Sequence, residues 1–75
     1  MSQQLTHVGM DMTPEAMEAL SEVTRRLNLT GKGNRAEAIR KMLGTVRYLL
    51  QEKQDKAAKI ILRYPDGNEV EVTKL

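Results

Sequence analysis

The sequence predicts a small, mainly α-helical domain with a short N-terminal strand before two helices and a β-hairpin after them. Three patterns lead to this fold class. An apolar stripe with helical spacing runs between Asn34 and Leu50, and Thr13-Pro14-Glu15 is a strong helix start. A turn signal, Pro65-Asp66-Gly67, separates two β-rich runs. The predicted order is therefore strand, helix, helix and hairpin.

The segment Leu5–Met12 is the predicted strand, because apolar and other residues alternate along it. One face would carry Val8, Met10 and Met12, and the other would carry His7, Gly9 and Asp11. A register shifted by one residue would bury Asp11, so it is rejected. A strand with two open edges is not viable in water. It therefore pairs with the same strand of a second copy, or with the C-terminal hairpin in a monomeric three-stranded α+β domain.

The first helix is predicted from Pro14 to about Leu27. Thr13 is a suitable N-cap, proline is favoured at the first helical position, and Glu15 places an acid in the first turn. The residues expected on its buried side are Ala16, Met17, Leu20, Val23 and Leu27. The residues expected to face water are Glu15, Glu18, Glu22, Arg25 and Arg26.

The second helix is predicted from Arg35 to roughly Lys53 or beyond, with Asn34 as its N-cap and Glu37 completing a capping box. Its apolar stripe consists of Ala38, Ile39, Met42, Leu43, Val46, Leu49 and Leu50. This stripe is wider than one short helix can cover, so we expect a second copy to cover it. The predicted dimer core consists of Val8, Met10, Met12, Ile39, Met42, Leu43, Val46 and Leu50.

A hairpin is predicted for Lys59 to Leu75. A three-residue loop with a glycine bulge would place Tyr64 opposite Asn68. In that register Leu62 faces Val70 and Ile60 faces Val72 on one side, while Arg63 lies beside Glu69 on the other. The expected organisation is one dimerisation domain over residues 1–53 and a hairpin extension over residues 54–75.

Composition limits the classes of function. With 75 residues and no cysteine, the chain has few means of stabilising a core alone, and oligomerisation is the usual remedy. His7 is the only histidine, so we expect no catalytic constellation, no metal site and no cofactor. The lack of cysteine and of a membrane-spanning apolar run favours a soluble, cytoplasmic protein.

Charge is distributed unevenly along the chain. Residues 1–24 hold four acids and no Lys or Arg, whereas residues 25–63 hold eleven bases and three acids. Residues 64–75 hold three acids and one base. A basic middle between acidic ends favours a polyanion partner, the alternative being an ordinary solvated helix face.

Two stretches, MDMTPEAMEAL at Met10–Leu20 and NRAEAIRKML at Asn34–Leu43, resemble the ribbon-helix-helix family of Arc- and CopG-like repressors. The resemblance covers roughly residues 5 to 50. It implies a homodimer in which the two N-terminal strands form an intermolecular two-stranded antiparallel ribbon above four interlocking helices. The ribbon of such proteins enters the major groove of double-stranded DNA, which implies a transcriptional regulator, either a repressor or an antitoxin-like protein.

The resemblance also implies two sets of DNA contacts. His7, Gly9 and Asp11 would face the bases, where family members usually present Arg, Lys, Thr, Gln or Asn. The start of the second helix would bind phosphates through Lys32, Gly33, Asn34 and Arg35, although the same residues could simply form an exposed, capped helix start. Gly9 cannot read a base, and Asp11 repels phosphate. An alternative is therefore the same dimer acting as a protein-interaction module without specific DNA binding, with the hairpin or the basic face as the docking surface.

Overall fold

The computed structural model describes residues 4–75 and is mainly helical, with a small two-stranded antiparallel sheet. Helix α1 spans Pro14–Arg26 and helix α2 spans Asn34–Asp55. Strand β1 spans Ile61–Arg63 and strand β2 spans Glu69–Glu71. The chain divides into two compact units, Met1–Ala38 and Ile39–Leu75. The two helices and the hairpin agree with the sequence prediction.

Helix α1 begins where its capping residues predict. The hydroxyl oxygen of Thr13 accepts a hydrogen bond from the backbone N–H of Ala16 at 3.1 Å, and Pro14 occupies the first helical position. Glu15 lies in the first turn, and Arg25 and Arg26 lie in the last, as the helix dipole favours. An ion pair of 2.8 Å joins Arg26 to Glu22 on the exposed surface.

The Thr13 cap leads to a simple stability prediction. Thr13→Ala leaves the N–H of Ala16 without its side-chain acceptor, so we expect the free energy of unfolding to fall by about 1 kcal/mol. Thr13→Ser retains the acceptor and is the matched control. Urea denaturation followed by far-UV circular dichroism measures both. Equal loss in the two variants would mean that the hydroxyl contributes nothing.

Helix α1 ends in a Schellman motif centred on Asn28, which has a positive φ of 58°. The N–H of Asn28 donates to the carbonyl of Arg25 at 3.0 Å, and the N–H of Leu29 donates to the carbonyl of Thr24 at 3.2 Å. Asparagine tolerates this left-handed conformation better than most residues. Helix α1 therefore ends one residue before its predicted limit at Leu27.

The start of α2 differs from the predicted capping box. Asn34 is the first helical residue, and the N–H of Glu37 donates to the carbonyl of Gly33 at 3.1 Å. Gly33 thus occupies the cap position. The side-chain Nδ2 of Asn34 donates to the carbonyl of Leu29 at 3.5 Å, so this amide holds the preceding loop and is not the N-cap.

No strand forms between residues 4 and 13 of the single chain, so the strand predicted at Leu5–Met12 is not present there. A strand needs a partner for its ladder hydrogen bonds, and the sheet of the described residues contains β1 and β2 alone. The monomeric three-stranded sheet is therefore not formed either. Val8 and Met10 remain 75% and 64% exposed.

The first unit has a very small core. Leu20, Thr24 and Ala38 are 6%, 4% and 0% exposed and are the buried residues of the described chain. Burial of the Thr24 hydroxyl is compensated because it donates to the carbonyl of Leu20 at 2.6 Å. Leu20 confirms the predicted buried side of α1, whereas Leu27 is exposed because it forms the C-cap.

The hairpin has the predicted register. Leu62 pairs with Val70 and Arg63 with Glu69, and the N–H of Val72 donates to the carbonyl of Ile60 at 2.8 Å. Arg63 forms a 3.1 Å ion pair with Glu69. The backbone of Tyr64 bonds to both Gly67 and Asn68, which closes the turn.

Candidate nucleic-acid interface

An open pocket of about 400 Å³ lies in the first unit, where the loop after α1 meets the start of α2. Its lining residues come from the last turns of α1, the connecting loop and the first turn of α2. They are Ser21, Thr24, Arg25, Asn28, Leu29, Thr30, Asn34 and Arg35. Seven of these eight side chains are polar or cationic and none is acidic, so the pocket suits an anion.

Local folding explains how the loop comes to line this pocket. The Schellman motif at Asn28 turns the chain directly after α1, and the bond from Asn34 Nδ2 to Leu29 ties the loop to the first residue of α2. Gly31 and Gly33, with φ of 90° and 79°, allow the short connection between these points. The pocket is therefore a product of helix capping at both ends of the loop.

Electrostatics at the pocket favour negative charge. The N–H groups of Asn34 and Arg35 belong to the first turn of a 22-residue helix, before the first backbone bond made by Glu37. Such groups lack intrahelical acceptors and carry the positive end of the helix dipole. The guanidinium groups of Arg25 and Arg35 add two formal charges, and both residues are exposed. A phosphate oxygen would find amide, hydroxyl and guanidinium donors here.

The predicted phosphate-binding residues are only partly gathered in this pocket. Asn34 and Arg35 line it, whereas Lys32 and Gly33 lie in the adjoining loop and do not. Sequence reasoning missed Ser21, Arg25 and Thr30. The available signal was the polar row Ser21, Arg25 and Asn28, whose members are spaced four and three residues apart along α1 and its C-terminal end. Of these three residues, the sequence predicts only that Arg25 faces water.

The residues predicted to face DNA bases are exposed. His7, Gly9 and Asp11 lie in the segment before α1, and none of them lines the pocket. A β-carbon added to Gly9 would meet only His7 Cε1, at 3.8 Å, so space does not require glycine there. This segment therefore offers one hydrogen-bonding imidazole and one carboxylate.

The predicted dimer core is largely exposed in the single chain. The exposed fractions of Leu43, Val8 and Met10 are 66%, 75% and 64%, and that of Val46 is 37%. The other four residues are half-buried: Met12, Ile39, Met42 and Leu50. None of the eight is fully buried, and the apolar surface that the four exposed residues present to water remains available to a further molecule.

The described residues contain neither a metal-binding cluster nor a helix suited to a membrane. Between residues 4 and 75, no three His, Cys, Asp or Glu side chains lie together in a way that could hold a metal ion. Over the same range, no helix combines the length and apolar character needed to cross a membrane.

Comparison of the chain with protein-family models, with curated proteins and with solved structures finds no match.

Proposed function

We propose that this protein is a homodimeric DNA-binding transcriptional regulator, a repressor or an antitoxin-like protein, with a ribbon-helix-helix arrangement. The observation that carries the proposal is the pocket beside the start of α2, which is lined by two arginines, two asparagines and three hydroxyl residues and by no acid. A DNA backbone phosphate is a ligand that such a set of donors binds well.

The dimer part of the proposal is supported by exposed apolar side chains on two elements. Val8 and Met10 alternate along a segment that has no strand partner in the single chain, and Leu43 and Val46 project from α2. Pairing two such segments antiparallel would satisfy their backbone groups. Covering the α2 stripe with its symmetry mate would give one isologous interface.

In this arrangement the side chains opposite Val8 and Met10 face the major groove. His7 would donate to a base edge or a phosphate, and Asp11 would accept from a cytosine amino group. Lys32, Gly33, Asn34 and Arg35 would contact the backbone on either side, with Arg25 completing the phosphate site. Most of the affinity would then come from phosphate contacts and depend on salt.

A second candidate function is a protein-interaction module built on the same dimer. Gly9 and Asp11 favour it, because one offers no side chain for base recognition and the other repels phosphate. The half-exposed pair Leu62 and Val70 on the hairpin would then form part of the docking surface. This candidate predicts no duplex affinity at low salt.

A salt series separates the two functions. We expect the protein to bind duplex DNA of mixed sequence at low ionic strength, and log K to fall linearly with log salt. A gel-shift titration at four salt concentrations measures the slope. Absence of a shifted band at the lowest salt would exclude the regulator and leave the interaction module.

A further inference from the structure

The exposed sides of the two helices carry matching rows of opposite charge. On α1 the acid row consists of Glu15, Ala19 and Glu22, and on α2 the basic row consists of Arg40, Gly44 and Arg47. In both rows a charged residue at position i is followed by a small residue at i+4 and by a second residue of the same charge at i+7. All six residues are exposed in the structure.

Helix geometry places each row on one face. At 3.6 residues per turn, positions i, i+4 and i+7 fall within about 60° of one another, and seven residues rise about 10.5 Å. The outer charges of the two rows are therefore the same distance apart. The acid row lies away from the side of α1 that contains Leu20. The basic row borders the apolar stripe of α2, because Leu43 lies three residues after Arg40 and four before Arg47.

The centre of each row permits close approach. Nothing lies within 4 Å of the position that a β-carbon of Gly44 would occupy, so the middle of the basic row is open space. The opposing residue, Ala19, carries only a methyl group. Two helices whose contact centres on small residues can bring their flanking charges into ion-pair distance.

From this complementarity we propose that the acid row of one copy docks, in parallel orientation, on the basic row of another copy. Glu15 would then face Arg40, Ala19 would face Gly44, and Glu22 would face Arg47. Glu22 now forms its ion pair with Arg26 at 2.8 Å, and in the complex its carboxylate is shared with Arg47. In the parallel orientation, the flank of α1 that carries Glu18 also faces the flank of α2 that carries Lys41.

This contact differs in symmetry from the proposed dimer interface, in which the same segments of the two copies meet, although both involve the part of α2 around Leu43. It joins different surfaces of the two copies, so it is heterologous. The copy that docks through its acid row retains a free basic row, and the other copy retains a free acid row. The result is a chain or ring of copies that grows with concentration. Because the rows are solvent-exposed, each ion pair is weak and screened by salt, and assembly depends on ionic strength.

Sedimentation velocity on the full chain without DNA tests the proposal. At about 0.01 M ionic strength, where the Debye length is about 30 Å, we expect species larger than the one present at about 1 M, where it is about 3 Å. Arg40→Glu with Arg47→Glu should abolish the larger species, and so should Glu15→Arg with Glu22→Arg. An equimolar mixture of these two double variants should assemble again, because each supplies the charge that the other lacks.

The control is Lys56→Glu with Lys74→Glu, which alters net charge as much as the α2 variant does and should retain salt-dependent assembly. Circular dichroism verifies that every variant keeps its helices. An identical mass at both ionic strengths, or failure of the mixture to assemble, would overturn the proposal. The proposal would also be overturned if the Arg40/Arg47 variant kept the mass of the wild type but lost its affinity for duplex DNA, because the basic row would then be a surface for DNA.

Discussion

Replacing Lys32 and Arg35 together by alanine is expected to weaken duplex binding by roughly 100-fold at low salt, whatever the DNA sequence. Arg35 lines the pocket at the start of α2, and Lys32 lies in the loop beside it. Binding releases about 0.9 fewer counterions for each phosphate contact that is lost. The negative slope of log K against log salt should therefore become less steep by about 1.8 per chain. Fluorescence anisotropy with a labelled duplex over a salt series measures both quantities.

The matched control removes equal charge elsewhere. Lys56→Ala with Lys74→Ala changes two exposed lysines outside the pocket and should leave the slope within about 0.5 of the wild-type value. A third variant, Arg25→Ala, tests the residue that only the structure brings into the site. For this variant the slope of log K against log salt should become less steep by about 0.9 per chain. If the control and the Lys32/Arg35 variant lose the same affinity, binding is diffuse and the pocket has no special role.

The second large effect is expected from Leu43→Glu. This side chain is 66% exposed in the single chain, so the stability of an isolated copy should change by less than about 0.5 kcal/mol. In the proposed dimer the same position is covered by the partner helix, and an unpaired buried charge costs about 3–5 kcal/mol. We therefore expect the variant to be monomeric, with the fall in helicity that loss of a dimer core would cause.

Tyr48→Glu is the control for this substitution. Tyr48 is 60% exposed and lies on the opposite face of α2, so a charge there should leave the mass and helicity unchanged. Sedimentation equilibrium at high salt, which suppresses contacts between charged rows, compares the two variants. A dimeric Leu43→Glu variant would show that the apolar stripe does not form the interface.

Much of the fold follows from local sequence signals. Thr13, Pro14 and Glu15 define the start of α1 through interactions within a few residues, and the Pro65-Asp66-Gly67 turn fixes the hairpin register in the same way. Local patterns predict such elements well because the hydrogen bonds that form them close within the pattern itself.

The less successful predictions concern features that depend on more distant partners. Asn34 was predicted as an N-cap, yet its amide donates to Leu29 five residues earlier, and the cap position falls to Gly33. The strand at Leu5–Met12 has suitable alternation, but a strand forms only when a second segment accepts its hydrogen bonds. Periodicity shows which residues share a face, but it does not show which segment would pair with the strand.

Only part of the candidate site could be predicted, because some of its residues are distant from the start of α2 in the sequence. Asn34 and Arg35 follow from the positive end of a helix, which any capped helix start displays in the sequence. Arg25 and Thr30 join them only because the Schellman motif at Asn28 brings the end of α1 and the loop to the same pocket. The motif has no glycine at its left-handed position, so its usual sequence signal is missing.

The central claim is that two copies associate by pairing their N-terminal segments antiparallel and covering each other's α2 stripe. An isotope-filtered nuclear Overhauser experiment on an equimolar mixture of labelled and unlabelled chains at high salt tests it most directly. The account predicts intermolecular contacts between α-protons of residues 8–12, where paired Cα atoms lie about 4.5–5.5 Å apart. A species of 8.5 kDa without intermolecular contacts in these residues would contradict it.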